Sequence, residues 1–320
     1  MKMPNPKAAF YWAASCGGCE IAMLELGKGL VDVSKKVDIV FWPVALDFKY
    51  SDVESMPDKS IDVCFFNGAI QTSENEHMAK LLREKSKILI AFGACANGGG
   101  IPALANTTSK EQIFKRVYKE TPTTDNPTDV IPQTKVQVKE GGLSLPEFYN
   151  TVRTLDQTVD VDYFVPGCPP VGEQVTAVMN DIVGGKLPPK GSVIGASDKS
   201  LCDECKRVKG DRKIKKIVRT YEIVPDTEKC LLDQGVICMG PATRGGCGAQ
   251  CISANMPCRG CYGAVPGVLD QGAKMLSALS SNFDAESEEE IERIASGVVD
   301  PIGTFYRYTL ARSLLRRAKA

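Results

Sequence analysis

Cysteine is the residue type in this sequence whose number and spacing could do chemistry. The chain of 320 residues has 13 cysteines but a single histidine, His77. Disulfides belong to oxidising compartments and small secreted scaffolds, whereas Cys-x-x-Cys pairs in a chain of this size are more typical of metal sites. Iron–sulfur clusters and all-cysteine zinc sites both use four thiolates, and the 13 cysteines make three such sets with one left over. The composition therefore predicts metal centres and leaves iron–sulfur and zinc open.

Alternating strand and helix signals surround the first of these cysteines. Apolar runs predict strands at residues 7–14, 37–44, 61–67, 87–92 and 161–165. Helical patterns fill residues 20–30 and 73–85, the second with Ser73 as its N-cap in a capping box with Glu76. Near-continuous apolar strands separated by helices indicate a parallel sheet covered on both faces. We therefore predict an α/β fold with a flavodoxin-like, doubly wound parallel sheet.

Four cysteines follow the ends of predicted strands, namely Cys16, Cys19, Cys95 and Cys168. Ligands of a doubly wound sheet collect at the carboxyl ends of its strands, so we expect these loops to converge. Glycines flank each cysteine and would allow a metal centre to approach the backbone closely. The glycine run at residues 98–100 lacks the Lys-Ser/Thr of a phosphate-binding loop, which argues against a nucleotide. Cys64 lies within an apolar strand and is interpreted as a buried small hydrophobe, the cysteine left over.

A glycine- and proline-rich stretch at residues 184–191 marks a domain boundary. We predict a flavodoxin-like domain at residues 1–190 and an irregular, cysteine-rich domain at residues 191–320, whose cysteine spacing suits either iron–sulfur clusters or zinc. The second domain holds eight cysteines in close pairs and singles, as two four-thiolate sites require: Cys202, Cys205, Cys230, Cys238, Cys247, Cys251, Cys258 and Cys261. Residues 301–320 are predicted to form a closing helix with Phe305, Leu310 and Leu314 on its apolar face.

Three motifs together resemble the proximal-cluster motif of nickel–iron hydrogenase small subunits, and the order of the later cysteines extends the resemblance over nearly the whole chain. The motifs are Cys16-x2-Cys19-Glu20, Gly93-x-Cys95-x4-Gly100 and Gly167-Cys168-Pro169-Pro170. The resemblance implies a proximal [4Fe-4S] cluster held by Cys16, Cys19, Cys95 and Cys168. It implies a distal cluster held by Cys202, Cys205, Cys230 and Cys238. It also implies a medial cluster held by Cys247, Cys251, Cys258 and Cys261.

Two positions depart from the commoner pattern of that family. Many members have a histidine where Cys202 stands, and many have a proline at Cys251 together with a three-iron medial cluster. Thiolates at both positions imply three [4Fe-4S] clusters. The all-cysteine pattern looks most like the cytoplasmic methyl-viologen-reducing hydrogenases, which feed electrons to heterodisulfide reductase. Cytoplasmic sulfhydrogenase small subunits are the alternative. The related cluster subunit of NADH:quinone oxidoreductase is disfavoured, because Gly17 and Gly18 separate the first two cysteines here.

The hydrogen-splitting nickel–iron centre is not expected in this chain. The large-subunit signatures are missing, since Asp300-Pro301 is followed by Ile302 rather than cysteine. The resemblance therefore implies an electron relay with no catalytic residue of its own. Its partners would be a nickel–iron hydrogenase large subunit and an electron-accepting iron–sulfur subunit that links to heterodisulfide reductase.

The overall composition excludes some other functions. Lys plus Arg equals Asp plus Glu at 39 each, so there is no global basic field for nucleic acid. No apolar run approaches the roughly 20 residues of a membrane span, and no export signal is visible, which predicts a cytoplasmic protein. A zinc-stabilised binding module is a weaker alternative. It would need basic and aromatic residues interleaved on one face, but aromatics are only 7%.

Three further features have two interpretations each. Residues 206–219 carry eight basic residues against one acid, which could dock an acidic electron-accepting subunit or form a solvated strand face. Glu20 could face the large subunit or be a surface carboxylate at a helix start. The acidic residues 284–292 are interpreted as an exposed helix face, and His77 lies on a polar helix where a functional role is not favoured.

Overall fold

The central element of the protein is a five-stranded parallel sheet. The computed structural model describes residues 5–211 and 213–315. The strands are β1 (Lys7–Trp12), β2 (Asp38–Phe41), β3 (Ile61–Asn67), β4 (Ile70–Thr72), β5 (Ser86–Phe92), β6 (Lys135–Val138), β7 (Gly141–Ser144), β8 (Phe148–Arg153) and β9 (Tyr163–Val165). The sheet order is β2-β1-β3-β5-β9, with every neighbouring pair parallel. This order reverses direction at β1 and β3, as in flavodoxin-like folds.

Helices cover the sheet, and further helices lie in the cysteine-rich half of the chain. They are α1 (Gly18–Leu24), α2 (Lys28–Ser34), α3 (Tyr50–Glu54), α4 (Ser73–Lys85), α5 (Gly93–Gly98), α6 (Lys110–Lys115), α7 (Gly172–Val183), α8 (Leu201–Glu204), α9 (Gln250–Ser253), α10 (Gln271–Ser280), α11 (Glu288–Ala295) and α12 (Pro301–Phe305). None of the helices in the described ranges is both long and apolar enough to cross a membrane.

Both faces of the sheet are buried, which is why its strands are apolar at nearly every position. On β3, Val63 and Phe65 pack on the face covered by α7. The alternate residues Cys64 and Phe66 pack on the opposite face, which α4 covers. Successive side chains of a strand point to opposite faces, so a strand buried on both sides must be apolar throughout. The predicted α/β, doubly wound fold is confirmed.

The start of α4 differs from the prediction. Its N-cap is Thr72 rather than Ser73: the Thr72 hydroxyl accepts a hydrogen bond from the backbone N–H of Asn75 at 3.3 Å, and the Asn75 side chain accepts one from the N–H of Thr72. Ser73 instead accepts a hydrogen bond from the N–H of Glu147 at 2.9 Å. The small antiparallel sheet of β4 and β8 therefore determines where the helix begins. The sequence analysis did not predict this sheet.

The cysteine-rich half has few regular elements and a core of its own. Buried residues such as Leu232, Met239 and Met275 pack together with Cys238 and Cys258. The same core also includes Cys95 from the first half of the chain, so the two halves are in contact. The division at residues 190 and 191 stays a prediction.

Two segments of this half do not form the predicted elements. Residues 301–320 are not one helix: α12 ends at Phe305, and a single 3-10 turn follows at Leu310–Arg312. Residues 316–320 lie outside the described residues. The basic segment at residues 206–219, for which a solvated strand face is one of two interpretations, makes only isolated bridges among its described residues, Val208 with Lys229, Ile214 with Phe283 and Val218 with Val236. Burial of single side chains in the core, rather than pairing of strands, explains why polar and apolar residues alternate in this segment.

Candidate metal centres

The first cysteine group lies at the carboxyl ends of β1, β5 and β9. Gly17, with a φ of 82°, turns the chain between Cys16 and α1. Gly93 has a φ of 84°, and any Cβ there would overlap the sulfur of Cys19. Gly100 in the same way leaves room for the sulfur of Cys95. These glycines allow the loops to approach one another closely.

The four thiols of this group face one another. Burial raises the pKa of Cys19, and the neighbouring thiolates of Cys95, Cys168 and Cys16 raise it further. Burial also raises the pKa of Cys95 to about 12, with Cys168 and Cys16 again contributing. Cys16 and Cys168 are exposed, whereas the other two thiols are buried. The structure therefore brings together the four cysteines that the strand-end argument selected.

Glu20 is part of this site and is not a surface carboxylate. Only 3% of the residue is exposed. The Trp42 indole N–H and the Asn67 amide donate hydrogen bonds to its two carboxylate oxygens. Burial raises the pKa of Glu20, and these hydrogen bonds oppose the shift. From its position at the start of α1, Glu20 could have been a surface carboxylate, but its side chain lies under the cysteine loop.

A late segment of the chain covers the loop that carries Cys95. The N–H of Gly100 donates a hydrogen bond to the carbonyl oxygen of Tyr308 at 3.3 Å. A side chain at Gly98 would overlap the same carbonyl oxygen, and one at Gly99 would press on the Cβ of Ala311. The Tyr308 hydroxyl donates a hydrogen bond to the Cys168 sulfur. The sequence analysis missed this cover, although the glycine run at residues 98–100 signals a close backbone contact.

The second group consists of Cys202, Cys205, Cys230 and Cys238. Gly240 lies beside two of its sulfurs, so that a Cβ there would come within 3.2 Å of Cys202 and 3.7 Å of Cys238. Burial raises the pKa of Cys238, and the charges of Cys230 and Cys205 act in the same direction. The backbone N–H groups of Gly240 and Cys258 donate hydrogen bonds to the Cys238 sulfur, which favours its thiolate.

Arg207 connects the loops around this second group. Its Nη1 donates to the carbonyl oxygens of Asp226, at 2.5 Å, and Lys229, at 2.9 Å. Its Nη2 donates to Asn255 Oδ1 at 2.6 Å and lies 3.4 Å from the carbonyl oxygen of Ile252. Arg207 is 7% exposed. One buried guanidinium therefore joins the segments next to Cys205, Cys230 and Cys251.

The third group consists of Cys247, Cys251, Cys258 and Cys261. Burial raises the pKa of Cys261 to about 12, and the charges of Cys168, Cys247 and Cys251 contribute to the shift. Burial likewise raises the pKa of Cys258, with a contribution from Cys261. Backbone N–H groups of Ala249 and Gln250 donate to the Cys247 sulfur. Glu204, which sequence reasoning did not single out, lies near Cys247 and accepts a hydrogen bond from the N–H of Gly246.

The three groups lie in series. The backbone N–H of Cys168, in the first group, lies beside the sulfur of Cys261 in the third and favours the thiolate of Cys261. The N–H of Cys258, also in the third group, donates to the sulfur of Cys238 in the second, at 3.4 Å. The third group is therefore in contact with both of the others and lies between them.

The donor sets fit polynuclear four-thiolate clusters. Buried thiols that repel one another as thiolates require a strongly positive centre to hold them in the charged form, and a coordinating metal supplies it. The backbone N–H groups directed at the sulfurs are of the kind that stabilises iron–sulfur sites. Across residues 5–211 and 213–315, no group of three or more His, Cys, Asp or Glu side chains has the geometry of a metal-ion site.

The remaining cysteine and the histidine lie apart from these groups. Cys64 is fully buried within β3, as the prediction of a small core hydrophobe requires. His77 is on α4, and its Nε2 lies 3.6 Å from a carboxylate oxygen of Glu54. The acidic segment forms the start of α11, where Glu288 and Glu289 are exposed.

Comparisons with known proteins place the chain in a family. Residues 16–182 match the family model described as NADH ubiquinone oxidoreductase, 20 Kd subunit. The chain is 42% identical to the iron-sulfur subunit of the F420-non-reducing hydrogenase of Archaeoglobus profundus, over 97% of this chain and 98% of that one. It is 37% identical to a subunit of the F420-non-reducing hydrogenase of Methanothermobacter marburgensis, over 97% of this chain and 96% of that one.

A solved structure agrees with these relatives. The crystal structure of the NAD+-reducing [NiFe]-hydrogenase in the H2-reduced state contains a chain that superposes with a TM-score of 0.50 and 25% identity, covering 58% of this chain and 94% of that chain. The chain thus belongs to the hydrogenase small-subunit family, with subunits of the F420-non-reducing hydrogenases among its relatives, and is a subunit of an oxidoreductase.

Proposed function

We propose that this chain is the electron-relay small subunit of a cytoplasmic nickel–iron hydrogenase, passing electrons from hydrogen oxidation in a large subunit through three [4Fe-4S] clusters to an acceptor subunit of a heterodisulfide reductase complex. The single observation that carries the proposal is the series of three four-cysteine groups, joined by the contacts Cys168–Cys261 and Cys258–Cys238. A relay needs redox centres close together along one line. No disulfide joins cysteines in the part of the chain that the structure describes, which suits a reducing compartment.

Each cysteine group would hold one cluster, and the residues around it would bind it and exclude water. The proximal ligands are Cys16, Cys19, Cys95 and Cys168. The medial ligands are Cys247, Cys251, Cys258 and Cys261, and the distal ligands are Cys202, Cys205, Cys230 and Cys238. When bound, the clusters supply one-electron carriers whose potentials depend on hydrogen bonds and solvent exposure.

The large subunit would cover the edge of the sheet beside the proximal group. Cys16 and Cys168 are exposed there. Three large apolar side chains near Cys16 are also exposed: Trp12, Ile21 and Leu24. Exposed apolar patches of this kind mark protein interfaces. Covering them would bury the proximal ligands and bring them close to the partner that donates electrons.

The choice of acceptor follows from the ligand set. Many members of this family have a histidine at the position of Cys202 and a proline, which binds no metal, at the position of Cys251. This chain provides a thiolate at both positions. Replacing imidazole by thiolate lowers cluster potentials, as the comparison of Rieske centres with plant-type ferredoxins illustrates. Low-potential clusters suit an acceptor reduced near the hydrogen couple better than a quinone or cytochrome.

Metal analysis of the complex purified without oxygen tests the proposal. We expect about twelve irons and twelve sulfides per copy of this chain, from three clusters of four irons. C168S should lose about four irons and uncouple viologen reduction from hydrogen, since it removes one proximal ligand. C64A is the matched control, because Cys64 is buried in the sheet away from all three groups, and it should keep the full iron content. Zinc in place of iron, or unchanged iron in C168S, would contradict the proposal.

A further inference from the structure

A small pocket lined by three arginines lies beside the contact between the distal and medial cysteine groups. It has a volume of about 120 Å³, and Arg219, Arg259 and Arg307 contribute to its lining. The segments that end at Cys238 and begin at Cys258 also contribute, through Ile237 and Pro257. The pocket is therefore close to the junction of the distal and medial groups.

The lining of this pocket has three guanidinium groups and one carboxylate. Asp300 is the acidic residue of the lining, and its carboxylate already caps α12 by accepting a hydrogen bond from the N–H of Gly303 at 2.8 Å. No hydrogen bond or ion pair joins the Arg259 guanidinium to another residue within the described ranges. Three guanidinium groups against one carboxylate make the pocket positive, and their planar forks match oxyanions.

The rim of the pocket has the composition of a protein interface. Two of its lining residues are largely exposed, Tyr221 at 82% and Val299 at 74%. The basic segment at residues 206–219, which includes Arg219, also has two exposed lysines, Lys213 and Lys215. Arg212, in that segment, lies outside the described residues. Aromatic residues and arginines are enriched at interface cores, and a pocket of this volume suits a single carboxylate rather than a nucleotide.

We infer that Arg219, Arg259 and Arg307 form a docking pocket for a carboxylate side chain on an acidic electron-accepting protein, an inference that rests on the proposed relay function. The carboxylate would occupy the pocket while the acidic surface around it meets the lysines. Docking at this position would hold the acceptor close to Cys238 of the distal group. Opposite charges at such a rim also raise the rate of encounter.

Hydrogen-dependent reduction of two acceptors by the purified hydrogenase complex tests this inference. One acceptor is an acidic [4Fe-4S] ferredoxin and the other is methyl viologen, a small dication that needs no arginine pocket. For R219Q/R307Q we expect kcat/KM for the ferredoxin to fall about tenfold at low salt, with viologen reduction and iron content unchanged. The charge-matched control K213Q/K215Q, outside the pocket, should lose less than about threefold. R219K/R307K keeps the charge without the fork and should fall between them.

The outcomes separate the docking inference from the relay function. Unchanged ferredoxin kinetics in R219Q/R307Q, or an equal loss in K213Q/K215Q, would overturn the docking pocket while viologen reduction still supports the relay. A wild-type complex that oxidises no hydrogen with viologen would overturn the relay itself. Inorganic phosphate at constant ionic strength is the probe for a small-anion site. If it bound in the pocket without competing with the ferredoxin, the assignment to a protein carboxylate would be wrong.

Discussion

Removing the guanidinium of Arg207 should loosen two of the three cysteine groups together. Three of its hydrogen bonds are 2.9 Å or shorter, to the carbonyl oxygens of Asp226 and Lys229 and to Asn255 Oδ1. Hydrogen bonds from a charged donor contribute about 1.5–3 kcal/mol each. Their acceptors are partly buried and can bind water in a variant, so we expect R207M to cost about 3–5 kcal/mol rather than the full sum.

The loss should appear as faster release of iron. The three acceptors and Ile252 lie in segments next to Cys230 and Cys251, and Arg207 itself is two residues after Cys205. If local opening of these segments limits access of a chelator, a cost of about 3–5 kcal/mol accelerates iron release about 10²- to 10⁴-fold. R207K should be intermediate, because one ammonium cannot span acceptors on opposite sides.

The assay compares R207M with K206M by following iron release to a chelator without oxygen. Lys206 is the exposed neighbour of Arg207, so K206M makes a similar chemical change without touching the buried contacts. K206M should match the wild type. If R207M released iron at the K206M rate, Arg207 would not hold these loops, and the hydrogen-bond argument would be refuted.

Three other predictions concern separate parts of the molecule. In G99A the added Cβ presses on the Cβ of Ala311, and alanine is strained at the φ of 95° that Gly99 adopts. The loop that carries Cys95 should be displaced, so we expect the loss of about four irons. Full iron content in G99A would contradict the close contact. The hydrogen bond from Lys80, aided by Arg153, lowers the pKa of Glu76 to about 2. The ionised Glu76 carboxylate therefore stabilises the folded protein at pH values above its unfolded-state pKa of about 4.3, and this stabilisation is lost as the pH falls towards 2. In E76Q, the urea concentration at the midpoint of unfolding should no longer show this part of its pH dependence. Oxidised wild-type protein should lack a three-iron electron paramagnetic resonance signal. C251S should gain that signal, whereas the signal in intact wild-type protein would show that Cys251 is not a ligand.

The sheet could be predicted from sequence because its signals are local. Every residue of β3 is apolar or small except Asp62 and Asn67 at its ends, and this pattern is imposed by burial on both faces. The position of the strand-end cysteines then follows from the parallel order alone. The four proximal cysteines were therefore predictable as a group before any contact was known.

The misses share a dependence on distant parts of the chain. Ser73 lost the N-cap position because Glu147, next to β8, pairs with it. Glu20 is buried because Trp42 and Asn67, from the ends of two other strands, supply its hydrogen bonds. The apolar residues Phe305 and Leu310 indicated a helix, but they pack into a core shared with the cysteine loops. Local periodicity contains no information about such long-range partners.

The contact between residues 98–100 and the Tyr308–Ala311 segment has a consequence for biosynthesis. The ribosome makes the proximal cysteines Cys16, Cys19 and Cys95 long before it makes the segment that covers them. Until then, the N–H of Gly100 cannot bind the carbonyl oxygen of Tyr308, and the Cys168 sulfur lacks its contact with the Tyr308 hydroxyl. A chain synthesised only as far as residue 307 therefore lacks these contacts, and the loop of Cys95 can be covered only after residues 308–311 have been made.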